Sequence, residues 1–327
     1  VLDEGWKTLG ENASGIGWYN LEDIELEPGG SEIGWGLAEF IPDREWVQAM
    51  HDLDQVAGKS NVVFRIAIAT SGRQGLGNQG FAFDNIGITP RTKLAVLEHF
   101  TNCSDDTSAM ADDLVDELKR THSRDVIDLQ YHIDYKDLDP MNLNNPDPPS
   151  TRSFNFGVTK VPYSVLEGGS STQHRYDYSD LMAGFMEKQL RLLSLESPAF
   201  DVDLVVDWQE TGLEASLAVT CNRERYDEYI QLYLVVFESE VTAYTGRNGD
   251  NHFRNVVLDM LPTAAGKLLD DSWRKGTSES LTHTWTYKSY VEDIDDLAVV
   301  AFVQERGSKK ILQAAVEYKN ISVGKDH

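Results

Sequence analysis

Residues 94–132 constrain the fold more than any other stretch of this 327-residue chain. Leu94-Ala95-Val96-Leu97-Glu98-His99-Phe100 reads as a short apolar strand, and Val126-Ile127-Asp128-Leu129-Gln130-Tyr131-His132 as another. Between them Met110, Leu114, Val115 and Leu118 fall on one face of a helix, with acidic residues opposite. Asp105, Asp106 and Thr107 precede that helix, where side-chain oxygens can cap free amides and negative charge meets the positive end of the helix dipole. Residues 163–167, a Gly168-Gly169 turn and a second amphipathic helix through Leu181, Phe185, Met186, Leu190 and Leu193 follow, running out near Pro198. Strand–helix–strand and then strand–turn–helix is the logic of an α/β domain. The segment MNLNNPDPPS between the two halves reads as a loop.

The flanks are β-rich. In residues 1–90, Val62, Phe64, Ile66 and Ile68 alternate as on a half-buried strand, and residues 81–88 alternate after a Gly-rich loop, so the two runs are expected to pair antiparallel. The loop's GLGNQG joins two strands and opens no helix, which separates it from a dinucleotide-binding turn. From residue 199 onward, strands are expected at 202–208, 213–220, 230–237, 282–288, 297–304 and 311–318, with Arg247-Asn248-Gly249 as a turn. That spacing favours an antiparallel sandwich, with residues 256–261 and Pro262 as an irregular crossing element. The expected fold class is multidomain α+β: a jelly-roll-like β-sandwich over 1–90, an α/β domain over 91–198 and an antiparallel β-sandwich over 199–327.

With 54 Asp and Glu against 29 Lys and Arg, the net charge of −25 argues against duplex nucleic acid and anionic lipid as partners. No apolar run approaches the roughly 20 residues that span a bilayer. The chain starts on Val1 without a charged-then-apolar leader, and its first domain is expected to lack an N-terminal part. Two cysteines, Cys103 and Cys221, allow one disulfide at most, and their spacing does not decide whether it forms.

The middle segment resembles a thioredoxin-fold domain. Glu98-His99-Phe100-Thr101-Asn102-Cys103 sits where that fold carries a Cys-containing turn ahead of its first helix, and Val161-Pro162 where it carries a cis-proline loop. The resemblance implies a cis Val161–Pro162 bond. A dithiol oxidoreductase needs C-x-x-C, whereas this chain has Cys103-Ser104-Asp105-Asp106, so Asp106 stands where the resolving thiol belongs. Adjacent carboxylates oppose thiolate formation, and the helix N-terminus favours it. With the segments KVPYSVLEGG, GRNGDNHFRNVVLDMLPTAAGKLL and AVVAFVQERGSKKILQAA, residues 93–318 are similar to the outer-membrane-protein-28-related family of surface and secreted proteins of Bacteroidetes type. VVFRIAIATSG and GFAFDNIGI resemble the last strands of a MAM-like or bacterial jelly-roll domain. The family resemblance implies export to the outer surface or beyond, by the type IX route, and supplies no enzymatic activity.

Candidate chemistry is sparse. His132, Asp134, Asp137 and Asp139 form the densest His/carboxylate cluster, and His132 and Asp134 could begin a metal site. Asp84 with Asn85 is a candidate for calcium, although calcium takes six to eight oxygens and strand-end bonding is the simpler role. Asp250 and His252 lie in a loop that could hold a ligand or be fixed by His252 itself. Trp6, Trp18, Trp35 and Trp46 could stack on sugars, with Trp35 the chosen test residue, or fill a core. No nucleophile–base motif stands out. The reading is a non-catalytic, extracellular or cell-surface structural, adhesive or assembly protein that acts through protein partners or self-association, with a filament as one form. It requires no cofactor. The alternatives are a carbohydrate-binding or calcium-dependent adhesin module and a residual thiol-disulfide enzyme.

Overall fold

A computed structural model describes residues 5–36, 46–69, 81–180, 184–270 and 272–320. The chain forms two compact units, Val1–Arg91 with Arg191–Glu196, and Thr92–Leu190 with Ser197–His327. Among the described residues it is mostly β with few helices, an α+β architecture with two sheets.

In the larger unit the order is β1 (Ala95–Thr101), α1 (Asp106–Thr121), β2 (Val126–His132), α2 (Pro140–Asn144), α3 (Asp147–Phe156), β3 (Tyr163–Leu166), β4 (Arg175–Tyr176) and the first half of α4 (Glu187–Ser194), whose residues from Arg191 on belong to the smaller unit. It continues with β5 (Phe200–Trp208), β6 (Gly212–Cys221), β7 (Ile230–Val241), β8 (Phe253–Leu261), β9 (Lys267–Leu269), β10 (Ser278–Thr286), β11 (Leu297–Glu305) and β12 (Ile311–Tyr318). Asp105 caps α1 by accepting the Ser108 N–H at 2.9 Å. The proline-rich segment expected to be a loop is instead α2 and α3. Its prolines fall in the first turns, where a missing N–H costs nothing, and α3 ends on Gly157 at φ +69°. Residues 256–261, expected as an irregular crossing element, belong to strand β8, whose pairing with β7 shifts register at Leu258. Leu181 and the GLGNQG loop lie outside the described residues.

Nine strands make one sheet in the order β12-β11-β7-β8-β2-β1-β3-β4, with β9 on β7. β1 runs parallel to β2 and antiparallel to β3, the strand arrangement of a thioredoxin-like core, and Val161–Pro162 is cis. β2 also meets β8 in parallel, at Gln130 and Val256. The sheet therefore crosses the expected boundary at 198/199, because β8 docks on the free edge of β2 and β7 pairs with β8. β10-β6-β5 form the second sheet, which closes a sandwich over the distal half of the first.

Residues 232–237 of β7 show why that stretch is apolar without interruption. Leu232, Leu234 and Val236 enter the core under the small sheet, while Tyr233, Val235 and Phe237 enter the opposite core with Phe100, Tyr131 and Phe302. A strand covered on both faces has no polar side, and each large side chain so buried contributes about 1.5–3 kcal/mol.

In the smaller unit the runs 62–68 and 81–88 are not paired as strands among the described residues. Isolated bridges join Ile16 to Met50 and Leu21 to Gly34. Phe64, Ile66, Ile68, Phe83, Ile86 and Ile88 are exposed, as are Trp6, Trp35 and Trp46, so these tryptophans do not fill the expected core. Alternation specifies a half-buried surface, but burial also needs an opposing layer, and none covers these side chains among the described residues.

Candidate functional site

Cys103 follows β1 in the turn that leads to α1, as the thioredoxin resemblance places it, and is 3% exposed. Both cysteines are free. The Cys103 backbone N–H, an amide that could stabilise a thiolate, is taken by Asp139 Oδ2 at 2.8 Å. Burial pushes the thiol up to about 11 and the Asp139 charge adds to the shift, while the Ser104 hydroxyl opposes it. Asp106, the first residue of α1, is exposed; Pro162 is buried. The turn therefore has the position of a redox site but the electrostatics of an inert thiol.

Asp139 is the centre of this region. Its Oδ2 lies 2.9 Å from His132 Nδ1, and its Oδ1 accepts the Met141 N–H at 2.9 Å and the Asn142 N–H at 3.3 Å, capping α2. Burial opposes the charge on Asp139, yet the His132 charge and the amides from Cys103 and Asn142 hold its pKa below the usual carboxylate value. Burial would likewise push His132 down, but Asp139 outweighs it and the imidazole is raised. Asp134 accepts the Asp139 N–H at 2.7 Å. The pair proposed for a metal, His132 and Asp134, is thus brought together through Asp139 as a helix-capping network. Asp137 forms an ion pair with Arg247, whose N–H reaches Ser104 Oγ at 3.2 Å.

A second polar layer was missed by the sequence reading. His99 on β1 is in register with Ser164 on β3, and Ser164 Oγ lies 2.8 Å from His99 Nδ1. His99 Nε2 is 2.7 Å from Asp112 Oδ1, which also accepts from Thr101 Oγ1 at 2.9 Å. The order Ser–His–Asp resembles a hydrolase relay, but Ser164 and His99 are fully buried and Ser164 Oγ is also 2.7 Å from Tyr178 Oη. A nucleophile must meet its substrate, so this trio is a structural network. The neighbouring Glu98 holds Arg152 through two bonds of 2.6 Å, and Arg152 is further bonded to Gln304 and stacked on Phe156 and Tyr233. The signal was present: two consecutive polar residues, Glu98 and His99, interrupt an apolar strand and so face opposite sides of the sheet.

The remaining candidates are dispersed. Asp84 uses Oδ1 to accept the N–H of Asn85 at 2.7 Å, and Asn85 sits at φ +56°, so both hold a local turn. Among the described residues no group of three or more His, Cys, Asp or Glu side chains converges as metal ligands would. Asp250 accepts the His252 N–H at 3.2 Å, and His252 Nε2 is 2.6 Å from Glu240 Oε1, so a side-chain pair fixes the loop. Trp35 is 36% exposed, donates Nε1–H to the Gly17 carbonyl at 2.9 Å, and lies edge-on to Trp18 and near-parallel to Phe81.

The larger unit defines a class of architecture, a thioredoxin-like core joined through one sheet to a β-sandwich. HBP35 of Porphyromonas gingivalis is similar in fold, with a TM-score of 0.56 and 16% identity over 69% of this chain and 75% of that one. A protein of Agrobacterium tumefaciens aligns over 71% of this chain and 97% of its own at 15% identity and a TM-score of 0.47. A domain of the outer membrane lipoprotein Omp28 of P. gingivalis aligns over 38% of this chain and 91% of its own, at 10% identity and a TM-score of 0.28. No protein-family model matches the chain, and no curated protein matches it. Among the described residues no helix is long and apolar enough to cross a membrane.

Proposed function

We propose that this chain is a non-catalytic module of the cell surface or extracellular space, acting through protein–protein contacts on a thioredoxin-like scaffold that has lost its redox chemistry. The observation that carries the reading is Cys103, buried, without a partner thiol two or three residues on, and with its pKa pushed up to about 11. A thiol held that high stays protonated near neutral pH, and the thiol form is a poor nucleophile for exchange. The strongly acidic composition, with a net charge of −25, supports a solvated, exported surface. Thiol titration of the native chain at pH 8 tests the redox half: no fast-reacting thiol is expected until denaturant is added, and rapid modification of Cys103 would sink the reading. Sedimentation of the full chain across concentrations tests self-association.

A second reading, carbohydrate binding, is favoured by one observation. Trp46 is 72% exposed and Trp35 lies beside Phe81 as a partly open aromatic face. A glycan array compared with Trp35→Ala decides it: binding that the substitution removes supports a sugar platform, and a blank array ends the idea.

A further inference from the structure

The apolar runs 62–68 and 81–88 of the smaller unit each keep their large side chains in one row. Val62, Phe64, Ile66 and Ile68 alternate with a second row, and that second row is backed by the chain's own residues. In it Arg65 donates to the Gly29 carbonyl at 3.0 Å and stacks on Trp6, and Ala67 passes close to Gly29. In the second run the step from Phe83 to Ile86 is three residues instead of two. Asn85, at φ +56° with its amide held by Asp84 Oδ1, takes up the extra residue as in a bulge. Ile86 and Ile88 thereby return to the row of Phe81 and Phe83. The eight side chains of the two rows are between 39% and 74% exposed. Among the described residues no backbone–backbone hydrogen bond reaches either run.

We propose that these two apolar rows are the interface through which two copies of this chain associate, each covering the other's rows across a two-fold axis. The area fits. A large apolar side chain carries roughly 150–250 Å², so eight of them about half exposed present on the order of 700 Å² per copy. A standard stable complex buries roughly 800 Å² per partner. The charge fits as well. Arg65 and Asp84 are the only charged side chains in the two runs, are of opposite sign, and are both engaged within the chain. The rows are thus a neutral place on a chain of net charge −25, where two equally acidic copies meet with least repulsion. A basic protein partner would be steered to the carboxylates elsewhere instead. Given the reading of the chain as a protein–protein module, on which this interface rests, the partner is a second copy. A two-fold contact closes on itself, so the product is a dimer and not a filament.

The test is sedimentation of the full chain from about 1 to 300 μM, beside Ile66→Glu, Ile88→Glu and, on β5 of the larger unit, the exposed Val205→Glu. A concentration-dependent dimer is expected. Each of the first two variants would bury an unpaired charge in the contact and should weaken association about ten-fold or more, while Val205→Glu leaves it unchanged. All three side chains are exposed in the single chain, so the variants keep the fold, which circular dichroism checks. Hydrogen exchange of the wild type needs no variant: the amides of 62–68 and 81–88 should exchange more slowly at the higher concentration. A chain that stays monomeric at about 300 μM overturns the proposal and leaves a module with other partners standing. A dimer that both glutamates leave intact overturns the face, and association with phosphatidylcholine vesicles in place of dimerisation overturns the partner. Rapid modification of native Cys103 sinks the module reading whatever the sedimentation shows, so the two failures are told apart.

Discussion

His132 Nδ1 and Asp139 Oδ2 lie 2.9 Å apart with their side chains 2% and 0% exposed. The same oxygen receives the Cys103 backbone N–H. One carboxylate therefore ties the end of β2, the turn before α1 and the start of α2, in the region where a thioredoxin-like domain would carry out its chemistry.

Removing that carboxylate should be costly. Asp139→Ala leaves His132, the Cys103 amide and two α2 amides without their acceptor, and a destabilisation of about 3–5 kcal/mol is expected for breaking a buried pair. Asp139→Asn retains one acceptor and should cost less. Urea unfolding of both variants measures this, and equal stability of Asp139→Ala and wild type would refute the capping role. Cys103 should also react faster with a thiol reagent in Asp139→Asn, since the lost charge is one of the influences that raise its pKa.

The pH dependence has a defined sign. The His132 pKa is raised above 6.5, so its contribution is complete below 6.5 and is lost as pH climbs through the folded value. Asp139 is lowered from 3.8, so its contribution is complete above 3.8 and is lost as pH falls through the folded value. Burial raises Glu238 from 4.5 to about 7, so its contribution is complete below 4.5 and disappears on the way past pH 7. Stability should therefore peak near pH 4 and decline from about 4.5 upward, first as Glu238 gives up its contribution and then, above 6.5, as His132 does too. Glu238→Gln should flatten that decline by on the order of 2 kcal/mol, read from melting temperatures between pH 5 and 8. An unchanged profile would mean that Glu238 is not the group responsible.

Arg152 and Glu98 supply a buried pair with a different expectation. Arg152→Ala strands Glu98 in the sheet and should cost about 3–5 kcal/mol. The double substitution Glu98→Gln with Arg152→Met removes both charges and should recover most of the loss. A double-mutant cycle by denaturation checks the coupling, and strict additivity would show that the two side chains act separately.

Gly246 packs against the Cys103 turn so closely that a Cβ would sit 1.7 Å from the Cys103 carbonyl oxygen. Gly246→Ala should destabilise the chain by about 1–3 kcal/mol or more through overpacking. It should also loosen the turn, seen as faster Cys103 modification. A variant as stable as wild type would show that the 246–250 loop can move away freely.

Local pattern carried much of the fold. The strands at β5, β6, β7, β11 and β12 and the helix α1 were legible because alternation, helical spacing and capping residues are properties of neighbouring positions. α2 and α3 were misread because prolines signal loops, yet they are equally at home in a helix's first turn. β8 was misread because a short apolar run ahead of Pro262 looks the same whether or not a partner strand waits for it.

By itself, the sequence determined the strand–helix–strand core, the late run of strands, the missing second cysteine and the acidic excess, all of them readable within a few residues or by counting. Only the tertiary structure decided that β8 joins β2 and makes one sheet of two expected domains. It alone placed Asp139 between His132 and Cys103, and left Glu238 Oε2 buried without a donor. Those relationships join residues that folding brings together from different strands and helices. Their energies depend on burial and on the direction of single hydrogen bonds, and no local spacing encodes either.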